Sequence, residues 1–425
     1  MVLRKASTAA MCVAAALVMA ACGRSDTGAS SSTPSGAVPS GKVKGTITLW
    51  AQGTEGEKLP ALVKGFEAEN PGVKVNVTAI PWANAHSKYQ TAIAGGTTPD
   101  VAQMGTTYMP DFAGAFQQVP KGIDTSDIFP GSKESAVVKG DTLGVPWYVD
   151  TRVIYYRTDL AKKAGYTSPP KTSADFKAML KAMQTKAGAK WGINLPTGGN
   201  GSLAFQGALP FVWSAGGSLM NGAGTKWTLD TPQMTTAMKY YQSFFTDGIA
   251  DRNPDISPGA AEASFVKGTT GALINGPWDI STINDAGGKG FDKKYSVMPI
   301  PKDQSSTSLV GGSNLVVFRN SKQSPAAWKL VQYLSKPSVQ ASWYKMTGDL
   351  PAVQSAWNDS SLTGDPKLAV FGEQLKNVKA APNNTAWNQV SDAGDGQIER
   401  IVKGTDPASA LRDLQKTADS IGTGN

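Results

Sequence analysis

The pattern between residues 46 and 104 constrains this chain more than any other. Thr46-Ile-Thr-Leu-Trp50 alternates polar and apolar side chains as a strand does. Gln52 to Lys58 reads as a Gly-containing loop. Leu59, Leu62, Val63 and Phe66 then recur at i, i+3, i+4 and i+7, which puts them on one helix face, and Asn70-Pro71-Gly72 ends that helix. Val73, Val75 and Val77 restore the alternation. A helix around Lys88 to Ala94 stops at Gly95-Gly96, and Val101 to Met104 is a short apolar strand. The order β-α-β-α-β predicts a parallel sheet with helices on its faces.

Beyond this block, Leu143 to Tyr156 is extended and rich in Val, Ile, Tyr and Trp. Helices follow. Thr172 with Asp175 resembles a capping box, ahead of an apolar stripe of Phe176, Met179, Leu180 and Met183. Thr231-Pro232 and Ser324-Pro325 open two more, and the last helix runs from about Pro407 to Ile421. Strand patterns return between them: Gly271 to Asn275, Tyr295 to Ile300 and Leu309 to Phe318. A chain that leaves one domain and later re-enters it makes two lobes joined by more than one crossing. The expected division is 45–150 with 312–350 in lobe 1, and 151–311 with 351–425 in lobe 2.

The beginning of the chain carries an address. Arg4 and Lys5 precede an apolar run from about Ala9 to Ala21, and Met19-Ala20-Ala21-Cys22-Gly23 follows the form a lipoprotein signal peptidase requires, with Met19 where Leu is usual. Residues 1–21 read as a signal peptide that is removed. The apolar run is shorter than the ~20 residues of a membrane-spanning helix. Cys22 would then carry a lipid and hold the protein on the outer face of a bacterial cytoplasmic membrane. Residues 22–44, nearly all Ser, Gly, Thr, Pro and Ala up to Gly41, read as a flexible tether. A protein placed there has no access to cytoplasmic ATP or NADH, which removes most enzyme classes.

Composition narrows the rest. Cys12 lies in the leader and Cys22 is the lipid acceptor, so the mature chain has no disulfide, thiol nucleophile or thiolate metal site. The net charge of +8 becomes +6 without Arg4 and Lys5, and no basic run is longer than a pair. That argues against nucleic acid as a partner, which would want a clustered basic face. His86 is the only histidine, so no two-histidine metal site exists, and no Gly-x-Ser-x-Gly elbow is present. Ser264-Phe-Val-Lys267 matches Ser-x-x-Lys without a Lys-Thr-Gly triplet, and Asp392-Ala-Gly-Asp395-Gly396 lacks the alternating oxygens of a calcium loop. Neither a metal nor an organic cofactor is implied. Aromatic residues, by contrast, are plentiful: 11 Trp, 11 Tyr and 13 Phe.

Ordered landmarks now point to a family. They are Thr98-Pro99-Asp100-Val101, Gly144-Val-Pro-Trp-Tyr-Val-Asp-Thr-Arg-Val-Ile-Tyr-Tyr156, Ser214-Ala-Gly-Gly217, Phe265-Val-Lys-Gly268 leading to Gly276-Pro277-Trp278, Gly311-Gly-Ser-Asn314 and Thr347-Gly-Asp-Leu-Pro351. In this order and spacing the chain, from Gly45 to Ile421, resembles the extracellular solute-binding proteins of carbohydrate ABC importers, the maltose-binding-protein-like class. The resemblance implies a two-lobed α/β venus-flytrap fold, each lobe a sheet flanked by helices. It also implies a di- or oligosaccharide or glycoside as ligand, and as partners a membrane permease with a cytoplasmic ATPase. A monomer is expected.

A sugar presents a hydroxyl rim and flat C–H faces, and Trp and Tyr suit the faces at low rotamer entropy. The resemblance puts Trp278 at the cleft as the first stacking candidate. Tyr148, Asp150 and Trp147 stand at the first crossing, and Gly312, Ser313 and Asn314 at the second. Trp213, before Gly216-Gly217, is a further platform candidate. Gln52 and Gly53 follow the first strand and should face the cleft. Where many relatives carry an acid after the third strand, this chain has Gly105-Thr106-Thr107-Tyr108, so Thr106 and Tyr108 are candidates in its place. Asp100 reads as a brace for its strand. Two other readings compete: a secreted glycoside hydrolase, which needs two carboxylates about 5–10 Å apart, and a wall-glycan-binding lipoprotein with no transport role.

Overall fold

The computed structural model describes residues 38–198, 203–257 and 259–424. The predicted leader, Cys22 and most of the tether lie outside the described residues. In chain order the strands are β1 (Lys44–Gln52), β2 (Gly72–Ile80), β3 (Val101–Gly105), β4 (Val137–Val138), β5 (Asp141–Thr142), β6 (Val145–Thr151) and β7 (Val153–Arg157). They continue with β8 (Trp191–Asn194), β9 (Thr270–Asn275), β10 (Tyr295–Met298), β11 (Ser308–Val317), β12 (Leu350–Pro351) and β13 (Val378–Lys379).

Two sheets organise the fold. The first has the order β12-β6-β11-β3-β1-β2, with β13 beside β11. The expected parallel unit is there: β1 runs parallel to both β2 and β3. The sheet as a whole is mixed, because β11 returns antiparallel to β3 and β6. The second sheet has the order β10-β7-β9-β8, and β4-β5 form a small hairpin. Only Arg152 separates β6 from β7, so the chain passes from one sheet to the other within a single residue. On the return, β11 already pairs with β6 at Val310, two residues before the expected crossing at Gly312.

The helices cover these sheets as the patterns predict. Ile47, Leu49 and Ala51 of β1 are fully buried while Thr46 and Thr48 are exposed, so the alternation sets which face meets the helices. Helices Gly53–Glu69, Ser324–Leu334 and Pro337–Thr347 pack on one face of the first sheet. Its other face is closed by Tyr89, Phe112, Phe116 and Phe318. The second sheet is buried under helices Ser173–Ala187, Ala204–Ser214, Pro232–Thr246, Trp387–Val402 and Pro407–Ile421. Thr172 and Thr231 accept from the backbone N–H groups of Asp175 and Met234, as the capping signals require. Asp100 braces β1, accepting from the Thr48 N–H and hydroxyl at 2.8 Å each. Among the described residues no helix is long and apolar enough to cross a membrane.

One local expectation changes. The stretch read as a loop from Gln52 to Lys58 is helical from Gly53 onward, and the helix seen in sequence from Lys88 begins at Trp82. The first change comes from tertiary contact. Gly56 sits so close to the strands that a Cβ there would lie 2.5 Å from the Ala51 carbonyl oxygen and 2.7 Å from Ala79 Cα. Glycine, a poor helix former in isolation, is here what lets the first turn press against β1 and β2.

Candidate functional site

The site grows from the carboxyl ends of the strands, where open α/β sheets present their crevices. In the first lobe β2 ends at Ile80, and Pro81-Trp82 opens the next helix. Trp82 is 40% exposed. Its indole lies over two glycines at neighbouring strand ends: a Cβ on Gly53 would be 2.7 Å from the ring, and one on Gly105 would be 3.8 Å away. Tyr108 and Thr106, half-buried in the turn after β3, stand beside it. In the second lobe β9 ends at Asn275, and Gly276-Pro277-Trp278 leads into the helix Asp279–Gly287. Trp278 is 42% exposed and folds over Gly276, whose absent Cβ would lie 2.2 Å from the ring.

Strand β6 connects the two. Its alternate residues Tyr148 and Asp150 share a face. Asp150, half-buried, accepts from Arg152 Nη1, and the Arg152 guanidinium stands 4.7 Å from the Trp278 ring centroid. Arg152, Pro196, Leu203, Gln206, Asn275 and Trp278 help line a cavity of about 280 Å³. Towards the other lobe, the Tyr148 hydroxyl donates to Glu55 Oε1 at 2.8 Å, and Glu55 lies in the first turn of the helix that Gly53 begins. Burial and the neighbouring Glu55 charge hold the Tyr148 phenol far above its ordinary pKa, so it stays a proton donor.

A buried polar network underlies this surface. Gln103 Nε2 lies 3.2 Å from both the Tyr148 hydroxyl and Ser313 Oγ, and the Ser313 hydroxyl donates to Tyr148 at 3.1 Å. The Gln52 N–H donates to Gln103 Oε1 at 2.9 Å, and its side-chain amide donates to Tyr89 and the Gln103 carbonyl. Gln52, Tyr148 and Ser313 are thus brought together, but as a floor rather than an exposed rim: Gln52 is 0% and Ser313 1% exposed. Gly312 and Gly53 are half-buried beside them. Gly312 has φ +118°, and a Cβ there would strike the Tyr148 carbonyl at 2.3 Å, so only glycine lets β11 approach β6 so closely.

Three expected contacts do not belong to this surface. Trp147 is 1% exposed and stacks on Trp343 with centroids 4.7 Å apart. Neighbouring strand residues point to opposite faces, so placing Tyr148 towards the cleft sends Trp147 into the core. Asn314 is 0% exposed; it follows Ser313 in β11 and donates to Ser135. Trp213 is 4% exposed and packs inside the second lobe's core as part of the helix Ala204–Ser214. Conversely, Trp82, Glu55, Gln103, Arg152 and Leu203 escaped the sequence reading. Trp82 had a legible signal, since Pro81-Trp82 after the second predicted strand repeats the proline-tryptophan pair of Pro277-Trp278. Leu203 had none; it is 56% exposed with φ +51°.

The sequence profile of the bacterial extracellular solute-binding proteins matches residues 50–341. The chain belongs to this family. As a solute-binding protein it is similar to the sugar-binding protein MalE from the phytopathogen Xanthomonas citri, whose structure superposes with a TM-score of 0.83 at 32% identity over 89% of this chain and 97% of the other. It is 27% identical to the diacetylchitobiose binding protein DasA of Streptomyces coelicolor, over 87% of this chain and 88% of that one. The galactooligosaccharide-binding protein of Bacillus subtilis is 24% identical over 88% of each. Such proteins bind and hand over a solute; they are binding proteins rather than enzymes, and the two-lobed α/β architecture agrees with theirs.

Two carboxyls in the site region have unusual environments. Burial, with Glu262 nearby, raises Asp279 from 3.8 to about 7, and Asp279 directly follows Trp278. Burial, reinforced by Glu55, raises Asp349 to about 7 as well. Asp349 Oδ2 accepts from Trp343 Nε1 at 3.0 Å, under the Trp147 stack.

Proposed function

We propose that this solute-binding protein is the extracellular receptor of an ABC importer for a neutral di- or oligosaccharide or glycoside, and that it releases its ligand unaltered. One observation carries the reading. Trp82, Leu203, Ile256 and Trp278 are the large hydrophobic side chains left exposed among the described residues. Two of these are tryptophans laid over glycine at the strand ends of opposite lobes, and Leu203 shares a cavity with Trp278. Exposed apolar side chains grouped at a crevice, rather than scattered singly, mark ligand-binding grooves. Sugar rings between two closing lobes would cover both, while the Asp150–Arg152 pair would meet hydroxyls with an acceptor and donors at once. The names of the relatives, binders of diacetylchitobiose and of galactooligosaccharides, support the same ligand class.

In this reading Trp278, Trp82, Tyr108, Thr106, Asp150 and Arg152 contact the ligand. Gln52, Tyr148 and Ser313 hold the floor rigid, and Gly53 and Gly312 allow close approach. The lobes divide near 45–150 with 312–350 against 151–311 with 351–425, and they close about the β6–β7 and β11 crossings by a few backbone rotations. Cys22 carries the lipid, the protein works as a monomer at the outer face of the cytoplasmic membrane, and it docks on the permease when closed. Titration calorimetry against an oligosaccharide panel, with mass spectrometry of the recovered ligand, tests this. Binding with intact recovery is expected; cleaved products would point to a hydrolase, and silence across the panel would end the receptor reading.

A further inference from the structure

The hinge region holds a carboxyl that the binding surface does not use. Asp349 stands in the turn between the helix Pro337–Thr347 and β12, one residue ahead of Leu350, where the chain leaves lobe 1 in the division proposed above. At the edge of the first sheet β12 pairs antiparallel with β6, Leu350 against Val149 and Pro351 against Tyr148, which brings Asp349 beside Asp150. Trp343 Nε1 donates to Asp349 Oδ2 at 3.0 Å, and the Asp349 N–H donates to the Thr347 hydroxyl at 3.1 Å. The acid is thus pinned at a crossing, next to the Trp147–Trp343 stack.

Its surroundings are acidic. Glu55 comes from the helix Gly53–Glu69, buried and bound to the Tyr148 hydroxyl at 2.8 Å. Asp150 comes from β6 and holds Arg152 Nη1 at 2.5 Å. Burial, Glu55 and Asp150 together produce the rise of Asp349 to about 7. The Tyr148 phenol, facing Glu55 and Asp349, stays neutral. Lys345, on the helix before Asp349, binds Asp359 at 3.1 Å, and Glu57, Lys58 and Lys64 are exposed. Closure of the lobes changes this cluster in two ways that share a sign. Asp349 is only partly buried, and a lobe folding over the crossing takes water from it, which disfavours its charged form. Arg152 lines the Trp278 cavity, and a ligand hydroxyl that draws the guanidinium away leaves Asp150 less compensated and Asp349 harder to ionise.

We propose that Asp349 is a proton-linked hinge acid: closing the lobes on a ligand binds a proton at its carboxyl, so the receptor holds its sugar more tightly in acid and loosens it as the pH rises. The proposal rests on the receptor reading above and deepens it by naming a proton as the second species taken up on closure. That proton comes from solvent and returns to it on opening, so no other reactant is required. A carboxyl that keeps its proton more firmly in the closed, liganded form than in the free form makes affinity greatest in acid. Affinity then declines as pH rises through about 7 and levels off once both forms are ionised.

The test uses the mature full-length protein and whichever of the malto-, cello- and chito-oligosaccharides binds it, with calorimetry from pH 5.5 to 9 in buffers of different ionisation enthalpy. Uptake of a fraction of a proton per ligand is expected around pH 7, with Kd rising roughly threefold or more across the range. D349N, neutral at every pH, should keep the acid-form affinity throughout and lose the uptake. E55Q removes the neighbouring charge and should move the window to lower pH, which decides the matter if D349N does not fold. D279N, at the other raised carboxyl, should keep the wild-type uptake. Binding without proton uptake, uptake that survives in D349N, or uptake abolished by D279N overturns the hinge acid and leaves the receptor reading standing. A folded D349N that binds at no pH makes Asp349 a structural or ligand-contact residue and overturns it too. Silence of the whole panel at every pH defeats the receptor reading and this inference together.

Discussion

Pro81-Trp82 and Pro277-Trp278 are the same device built in two lobes. Pro81 directly follows the end of β2 and Pro277 stands one residue, Gly276, beyond the end of β9; each pair stands at or just before the start of a helix, and each lays an indole over glycine. Their surroundings differ. Trp278 has a guanidinium at 4.7 Å and a buried acid next in sequence, while Trp82 has two glycines and a tyrosine. A cation faces the lobe 2 platform, whereas among the described residues none faces Trp82, whose ring lies close over two glycines. The comparison teaches that an exposed tryptophan can be fixed by what is missing beneath it as well as by what is present.

The largest expected effect is on binding at Trp278. Trp278→Ala should cost about 2 kcal/mol, roughly thirtyfold in Kd, as for a central aromatic anchor. Trp82→Ala should cost about as much if the two platforms grip one ligand. A variant that binds normally by calorimetry would break the symmetry and leave lobe 2 as the sole platform. Gly276→Ala places a methyl where the Trp278 ring sits, so it should lower the unfolding free energy by about 1–3 kcal/mol in denaturant titration and weaken binding too. Unchanged stability would show that the ring moves freely.

Smaller effects sharpen the electrostatic half. Arg152→Gln removes the cation over Trp278 and should weaken binding a few-fold, on the order of 0.5–1 kcal/mol; an effect as large as that of Trp278→Ala would make Arg152 a principal ligand contact. Asp279 titrates near 3.8 in the unfolded chain and at about 7 in the fold. Between those values the folded chain keeps a proton that the unfolded chain has released. The contribution of Asp279 to stability is therefore greatest in acid, declines as pH rises through that window and levels off above about 7. Asp279→Asn should raise the midpoint of thermal unfolding at pH 8 and leave it unchanged near pH 4. Equal gains at both pH values would assign the effect to packing instead of the proton. Lobe 1 has no counterpart, since Ala83 follows Trp82.

Much of this was legible in the chain. The periodicity from Thr46 to Met104 gave β1, β2, β3 and the helices between them, because burial on one face of an element leaves a period of two or 3.6 in the sequence. The caps at Thr172 and Thr231 and the limits of the helix Pro407–Ile421 were equally local matters. Site residues were harder. Trp147, Trp213 and Asn314 carry the right chemistry, yet they point inward, and nothing in composition separates Trp147 from Tyr148.

What the sequence by itself determined is the opening β-α-β-α-β order, the capped helices from Thr172, Thr231 and Pro407, and, through landmarks spaced along the chain, the family. Only the tertiary structure decided which lobe's acid meets which tyrosine, that Gly53–Lys58 coils instead of looping, and that two distant Pro-Trp pairs become matched platforms. Those outcomes depend on contacts between residues far apart in the chain, such as Glu55 with Tyr148 or Gly312 with the Tyr148 carbonyl. Such contacts exist only once the strands and helices of the first sheet have assembled.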